Sequence, residues 1–131
     1  MQVPEPCTKV HCLAFMYLTF AACSDGELTD DERSTMATKL QEWCDVMNEP
    51  RDVNEFVSES IDWFNSCADN NERLGCMDTI ARSWESEGFT EAHRGAIRDD
   101  LISIAKSDGN YDDVEKAWIE LLTKAMSEGA S

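Results

Sequence analysis

Apolar side chains recur along this chain at helical spacing, and almost nowhere in the alternation a strand requires. Val10, Leu13, Ala14, Tyr17, Leu18 and Ala21 fall at i, i+3, i+4, i+7, i+8 and i+11. Phe15, Met16 and Phe20 make the same segment apolar nearly all round, which predicts a central helix enclosed by the others. Met36, Leu40, Trp43 and Met47 mark a second helix, ended by Asn48, Glu49 and Pro50. Val53, Phe56, Val57, Ser60, Ile61 and Phe64 mark a third, opened by Asp52 with Glu55 three residues on, the spacing of a capping box. Leu74, Met77, Ile80, Ala81 and Trp84 form a fourth that runs to Gly88, and Thr90 caps a fifth carrying Ile97, Leu101, Ile104 and Ala105. Val114, Trp118, Leu121, Leu122 and Ala125 complete a sixth. The expected fold is all-α: one compact bundle of about six helices spanning residues 1–131, with its core between about 8 and 127.

Charge narrows the function. Against 27 Asp and Glu stand 11 Lys and Arg, a formal net charge of -16, which repels phosphate backbones and anionic lipid. Direct nucleic-acid binding and membrane insertion are therefore not expected; cations and basic protein surfaces are. The apolar run 12–23 is too short to span a bilayer and follows a stretch with Lys9 as its one basic residue, so a cytoplasmic protein is expected. The six cysteines form no Cys-x-x-Cys pair and do not cluster with His11 or His93, which argues against zinc and for reduced thiols that act as small hydrophobes. No nucleophile elbow, phosphate-cradling glycine loop or Ser-His-Asp order is present, so the expectation is a non-enzyme. Both histidines read as packing or capping residues.

An internal repeat carries the most information. The segment 22–32, Ala-Cys-Ser-Asp-Gly-Glu-Leu-Thr-Asp-Asp-Glu, aligns with 105–115, Ala-Lys-Ser-Asp-Gly-Asn-Tyr-Asp-Asp-Val-Glu, at a constant offset of 83. Each copy is an apolar helix, an acidic Asp-Gly turn and a second helix, so a helix-turn-helix unit stands near each end of the domain. Nine of the 27 acids lie in the two windows 25–32 and 108–115, so a third of the negative charge is gathered at two turns. Set against the EF-hand loop, Gly26 and Gly109 take position six and Glu32 and Glu115 position twelve, with Asp25 and Asp108 fifth, Glu27 seventh and Asp112 ninth. Positions one and three are Ala21 and Cys23 in one copy and Ile104 and Lys106 in the other, so neither is a complete EF-hand. Each loop keeps half a site for a hard cation. Three readings remain open. The paired turns bind calcium or magnesium, or they form an acidic face for a basic partner, with DNA mimicry one version of it. Alternatively, Thr29-x-x-Glu32 and Asp112-x-x-Glu115 are helix caps alone. Asp30, Asp31 and Asp113 are the candidate docking acids. Trp63 joins them as a candidate contact residue, because one of the adjacent pair Trp63 and Phe64 must lean outward.

The motif Asp25-Gly26-Glu27-Leu28 followed by Glu32, with its looser copy Asp108-Gly109-Asn110-Tyr111 followed by Glu115, resembles the TerB-like tellurite-resistance family over roughly residues 8–127. The resemblance implies an acidic, generally cytoplasmic helical bundle whose paired Asp-Gly loops form a metal-binding centre, and an association with membrane-associated stress complexes. Carried across, it nominates Asp25, Glu27, Glu32, Asp108 and Glu115 as ligands, to which the loop spacing adds Asp112.

Overall fold

The computed structural model describes residues 2–25, 29–84, 89–107 and 111–129, and the side chains of these except 24, 25, 128 and 129. Among the described residues the regular structure is helical throughout: α1 (Lys9–Asp25), α2 (Asp30–Val46), α3 (Val53–Ser66), α4 (Asn70–Ser83), α5 (Glu91–Lys106) and α6 (Asp113–Gly129). None of them is long and apolar enough to cross a membrane. Each expected helix is present, and the expected all-α bundle is the fold.

Helix α1 is the centre. From Leu13 to Ala21 every side chain is buried, and α1 packs against all five other helices. A helix apolar on every side has no face to give to water, so its neighbours must surround it. Around it the two repeat units take matching places: α1 packs on α2 as α5 packs on α6, and the cross pairs α1 with α6 and α2 with α5 also touch. The bounds of α6 are those of α2 moved by 83 residues at both ends. Helix α3 fills in against α1 and α2, and α4 against α1 and α6.

Local chemistry fixes the ends. Helix α2 stops in a left-handed turn: Asn48 sits at φ 55°, its N–H reaches the Asp45 carbonyl at 3.3 Å and the Glu49 N–H reaches that of Cys44 at 2.9 Å. Asparagine is among the few non-glycine residues that enter this region readily. At the start of α3 the reciprocal box expected of Asp52 and Glu55 does not form. Asp52 Oδ1 accepts from the Asn54 N–H at 2.8 Å, while Glu55 turns to the Arg51 Nε at 3.2 Å.

Two stripes bury part of their expected members, Val53, Phe56, Val57 and Ser60 in α3 and Leu122 and Ala125 in α6, and depart by a position elsewhere. In α3 the buried aromatic is Trp63, against the Phe15 ring at 4.1 Å between centroids, and Phe64 is the outer member, half-buried under the Arg73 guanidinium at 4.0 Å. The expectation of Trp63 as an outward contact residue is thereby corrected: its ring is 4% exposed and belongs to the core. In α6 the inward side chains are Glu115, Ile119, Leu122, Ala125 and Met126, while Val114 and Leu121 stand 53% and 65% exposed. Trp63 and Phe64 both fit the 3.6-residue period of the α3 stripe; contact with Phe15 of α1 selects Trp63.

One buried polar network ties the repeats together. Asp100 of α5, 6% exposed, uses Oδ2 to accept both the Tyr17 hydroxyl at 2.6 Å and the Trp43 indole N–H at 2.8 Å. Tyr17 and Asp100 are separated by the repeat offset of 83, so equivalent positions of the two copies meet, and α1, α2 and α5 are joined at one oxygen. Burial raises the Asp100 carboxyl above its ordinary range, although both donors and Lys39 pull it down. Burial and the Asp100 charge likewise push the Tyr17 hydroxyl well up, so it stays a donor. A carboxyl that holds its proton more tightly when folded adds stability as pH falls through its raised value, and withholds that increment at neutral pH. Asp100→Asn, which keeps an acceptor without the charge, loses this dependence. The stability advantage of the wild type over Asp100→Asn is expected to grow between neutral pH and about pH 4, in urea melts at each pH. Asp100→Leu strands two buried donors and is expected to cost about 2–6 kcal/mol.

Candidate functional site

The acidic turns are built from caps. At the start of α2 the Thr29 Oγ1 accepts the Glu32 N–H at 3.1 Å, and Glu32 Oε1 accepts the Thr29 N–H at 3.0 Å. At the start of α6 the pair recurs with a different first residue: Asp112 Oδ1 accepts the Glu115 N–H at 2.9 Å, and Glu115 Oε1 faces the Asp112 N–H at 3.4 Å. Both glutamates are 0% exposed. A capping box at a helix surface normally leaves its third-position carboxylate in contact with water; here both equivalents point into the bundle. The positive end of the helix dipole and the backbone N–H groups favour an acidic side chain at both positions.

The turns separate two kinds of acid. Asp30, Asp31 and Asp113 are exposed, with Asp113 only loosely paired to Lys116 at 3.9 Å. Glu32 and Glu115 are enclosed. Asp112 caps α6, so one of its oxygens is committed to the backbone. In the second turn Tyr111 lies between two cations, with Lys106 Nζ 5.4 Å and Lys116 Nζ 5.2 Å from its ring centroid. The nominated Glu27 and Asp108 lie outside the described residues, as does the side chain of Asp25. Among the described residues no three His, Cys, Asp or Glu side chains converge as a metal cage. The three nominated acids whose side chains are described, Glu32, Asp112 and Glu115, are therefore not gathered into one such group, although each carries the hard carboxylate oxygens that calcium and magnesium take.

The capping role expected of the histidines takes the form of a second pair of reciprocal boxes. Thr8 and His11 at the start of α1, and Thr90 and His93 at the start of α5, are both Thr-x-x-His. The Thr8 N–H donates to His11 Nδ1 at 3.0 Å and the Thr90 N–H to His93 Nδ1 at 2.9 Å; each threonine hydroxyl faces its histidine N–H at 3.3 Å. The signal was present as Thr-x-x-His at an offset of 82, with imidazole in the place glutamate usually takes. Both histidines are therefore caps. With Nδ1 accepting, the neutral His11 ring carries its proton on Nε2, which donates to Glu59 Oε1 at 2.8 Å. Arg51 also binds Glu59, and these two partners, Arg51 foremost, hold the Glu59 carboxyl below its ordinary range. Elsewhere, a cleft of about 440 Å³ lies between α4 and α6, floored by Leu74, Met77 and Leu122 and edged by Arg82 and Lys124; none of the nominated acids lines it.

Comparison with protein-family models, curated proteins and solved structures returned no match.

The caps make a direct prediction. Thr29→Ala and Asp112→Ala each remove a side-chain acceptor from an orphan helix N–H and are expected to lower stability by about 1 kcal/mol. For a chain of this size that is a fall in Tm of about 4 °C, read by thermal circular dichroism. Equal losses from the two variants would mark the turns as structural equivalents.

Proposed function

We propose that this chain is a non-enzymatic, acidic, TerB-like domain that binds a divalent cation, calcium or magnesium, between its two Asp-Gly turns, and that it serves a cytoplasmic stress response of the tellurite-resistance type. The observation that carries the reading is the complete burial of Glu32 and Glu115, equivalent residues at the starts of α2 and α6, in a chain of net charge -16. A cap alone is satisfied by a glutamate at the surface. Two enclosed glutamates at equivalent positions, beside segments whose sequence also carries Asp25, Glu27 and Asp108, supply hard oxygen donors of the kind such an ion takes. The donors are all oxygen, which favours a hard ion over zinc or copper.

The exposure of Asp30, Asp31 and Asp113 supports a second reading, in which the same turns dock a basic protein surface, such as a component of a membrane-associated stress complex. The two readings are compatible, because they use different acids.

Calorimetry with chelator-treated protein tests the cation reading. Saturable heats with calcium or magnesium are expected, with a melting temperature that rises as ion is added; a hundredfold excess over Kd corresponds to about 2.7 kcal/mol of stabilisation. Glu32→Gln with Glu115→Gln keeps an amide oxygen for each capping box and removes the charge, so it should fold and bind no ion. Asp25→Asn with Asp108→Asn should behave alike. Neither heat nor a shift at millimolar ion for the wild type would discard the cation reading and leave the docking one.

A further inference from the structure

Two thiols meet at the start of the central helix. The Cys12 N–H reaches the Thr8 carbonyl at 3.1 Å, closing the first turn of α1, and the Thr8 hydroxyl and His11 complete the cap. Thr8 is therefore the N-cap, Cys7 the residue before it and Cys12 the fourth residue of the helix. In many helices those two positions hold apolar side chains that touch and set the angle at which the chain enters. Here both are cysteine, and their sulfurs stand 3.9 Å apart.

Cys7 differs from the remaining cysteines in its exposure. Cys44 and Cys67 are buried, Cys23 and Cys76 half-buried, and burial pushes all four thiols up, which keeps them protonated and poor nucleophiles. Cys7 is exposed and Cys12 half-buried, so one sulfur of the staple is open to a reagent in solution and the other stands behind it. A disulfide requires the sulfurs at about 2.05 Å, a closure of roughly 2 Å. Rotation of the exposed Cys7 side chain, which lies outside the helix, can supply most of that movement.

We propose that Cys7 and Cys12 form a thiol–disulfide exchange site for low-molecular-weight disulfides of the glutathione type. The Cys7 thiolate attacks one sulfur of the reagent; the reagent's S–S bond breaks, a mixed disulfide forms on Cys7, and the departing thiolate takes up a proton. The Cys12 thiolate then attacks the Cys7 sulfur, forming the Cys7–Cys12 bond and expelling the second reagent thiolate, which is also protonated. Two protein thiols lose two electrons and two protons, and one reagent disulfide becomes two thiols. The product locks the entry of α1, the helix that every other helix touches, without disturbing the Thr8–His11 box inside the closed loop. Excess reduced thiol reverses both steps.

The test equilibrates the full chain with glutathione and glutathione disulfide at stepped ratios, followed by an acid quench, alkylation and peptide mapping. A Cys7–Cys12 cross-link with the other four cysteines alkylated is expected, together with a raised Tm that returns to its starting value on reduction. Cys12→Ser should accumulate a glutathione adduct on Cys7, and Cys7→Ser should give neither cross-link nor adduct on Cys12 at the same ratio. The proposal is overturned if wild-type Cys7 keeps the glutathione adduct while Cys12 is alkylated. Cross-linking of Cys7 to another cysteine, or its failure to oxidise at any ratio, overturns it equally. The wild-type map decides the matter even if a serine variant folds poorly, and no ion is needed in the assay.

Discussion

A helix with no wet face sets the terms for the rest of this molecule. Between Leu13 and Ala21 there is no side chain that α1 can leave in water, so the chain must supply neighbours on every side, and it does so with five helices of 14 to 17 residues. Bundles of this length usually share burial among amphipathic helices; concentrating it in one gives a core with a defined centre. Its cost is that polar groups inside α1 need partners from elsewhere in the fold. Tyr17 finds Asp100, and His11 finds Glu59, 83 and 48 residues away. A carboxylate buried beside a phenol and an indole is a weak source of stability, but it admits few alternative packings and so specifies how α2 and α5 meet over α1.

The second organising feature is where the chain puts its surplus acid. Four helix starts carry reciprocal boxes, two closed by histidine and two by glutamate, and the glutamate pair opens the second helix of each repeat. Anionic groups in a first turn are stabilised by the dipole, so a strongly acidic domain can hold charge there at lower cost than elsewhere. The enclosure of Glu32 and Glu115 goes beyond that economy. It places Glu32 and Glu115 inside the bundle, while Asp30, Asp31 and Asp113 beside them stay exposed.

The repeat is a structural device before it is a functional one. Equivalent residues of the copies meet at Tyr17 and Asp100, and equivalent turns carry Glu32 and Glu115, yet the chemistry differs at each: phenol faces carboxylate, and threonine caps one helix where aspartate caps the other. Divergence of this kind lets one half of a symmetric frame supply a donor where the other supplies an acceptor.

By itself the sequence determined what depends on residues within a turn or two of one another. The six helices, the Thr29 and Asp112 caps, the stop at Asn48, the 83-residue repeat and the gathering of acid at its turns all follow from backbone hydrogen bonding and the 3.6-residue period. The capping role of His11 and His93 was equally local and legible, while their reciprocal bond back to Thr8 and Thr90 was less so because imidazole rarely fills that position. Tertiary structure alone decided which of two adjacent positions turned inward, since a helical stripe is about 100° wide and Trp63 or Phe64, Trp118 or Ile119, fit it equally well until α1 and α4 took their places. It also decided the partners of Asp100, drawn from helices far apart in the chain. The candidate site divides along the same line: its composition was legible as sequence, while the inward turn of Glu32 and Glu115 came from the packing of α2 and α6 around the buried helix.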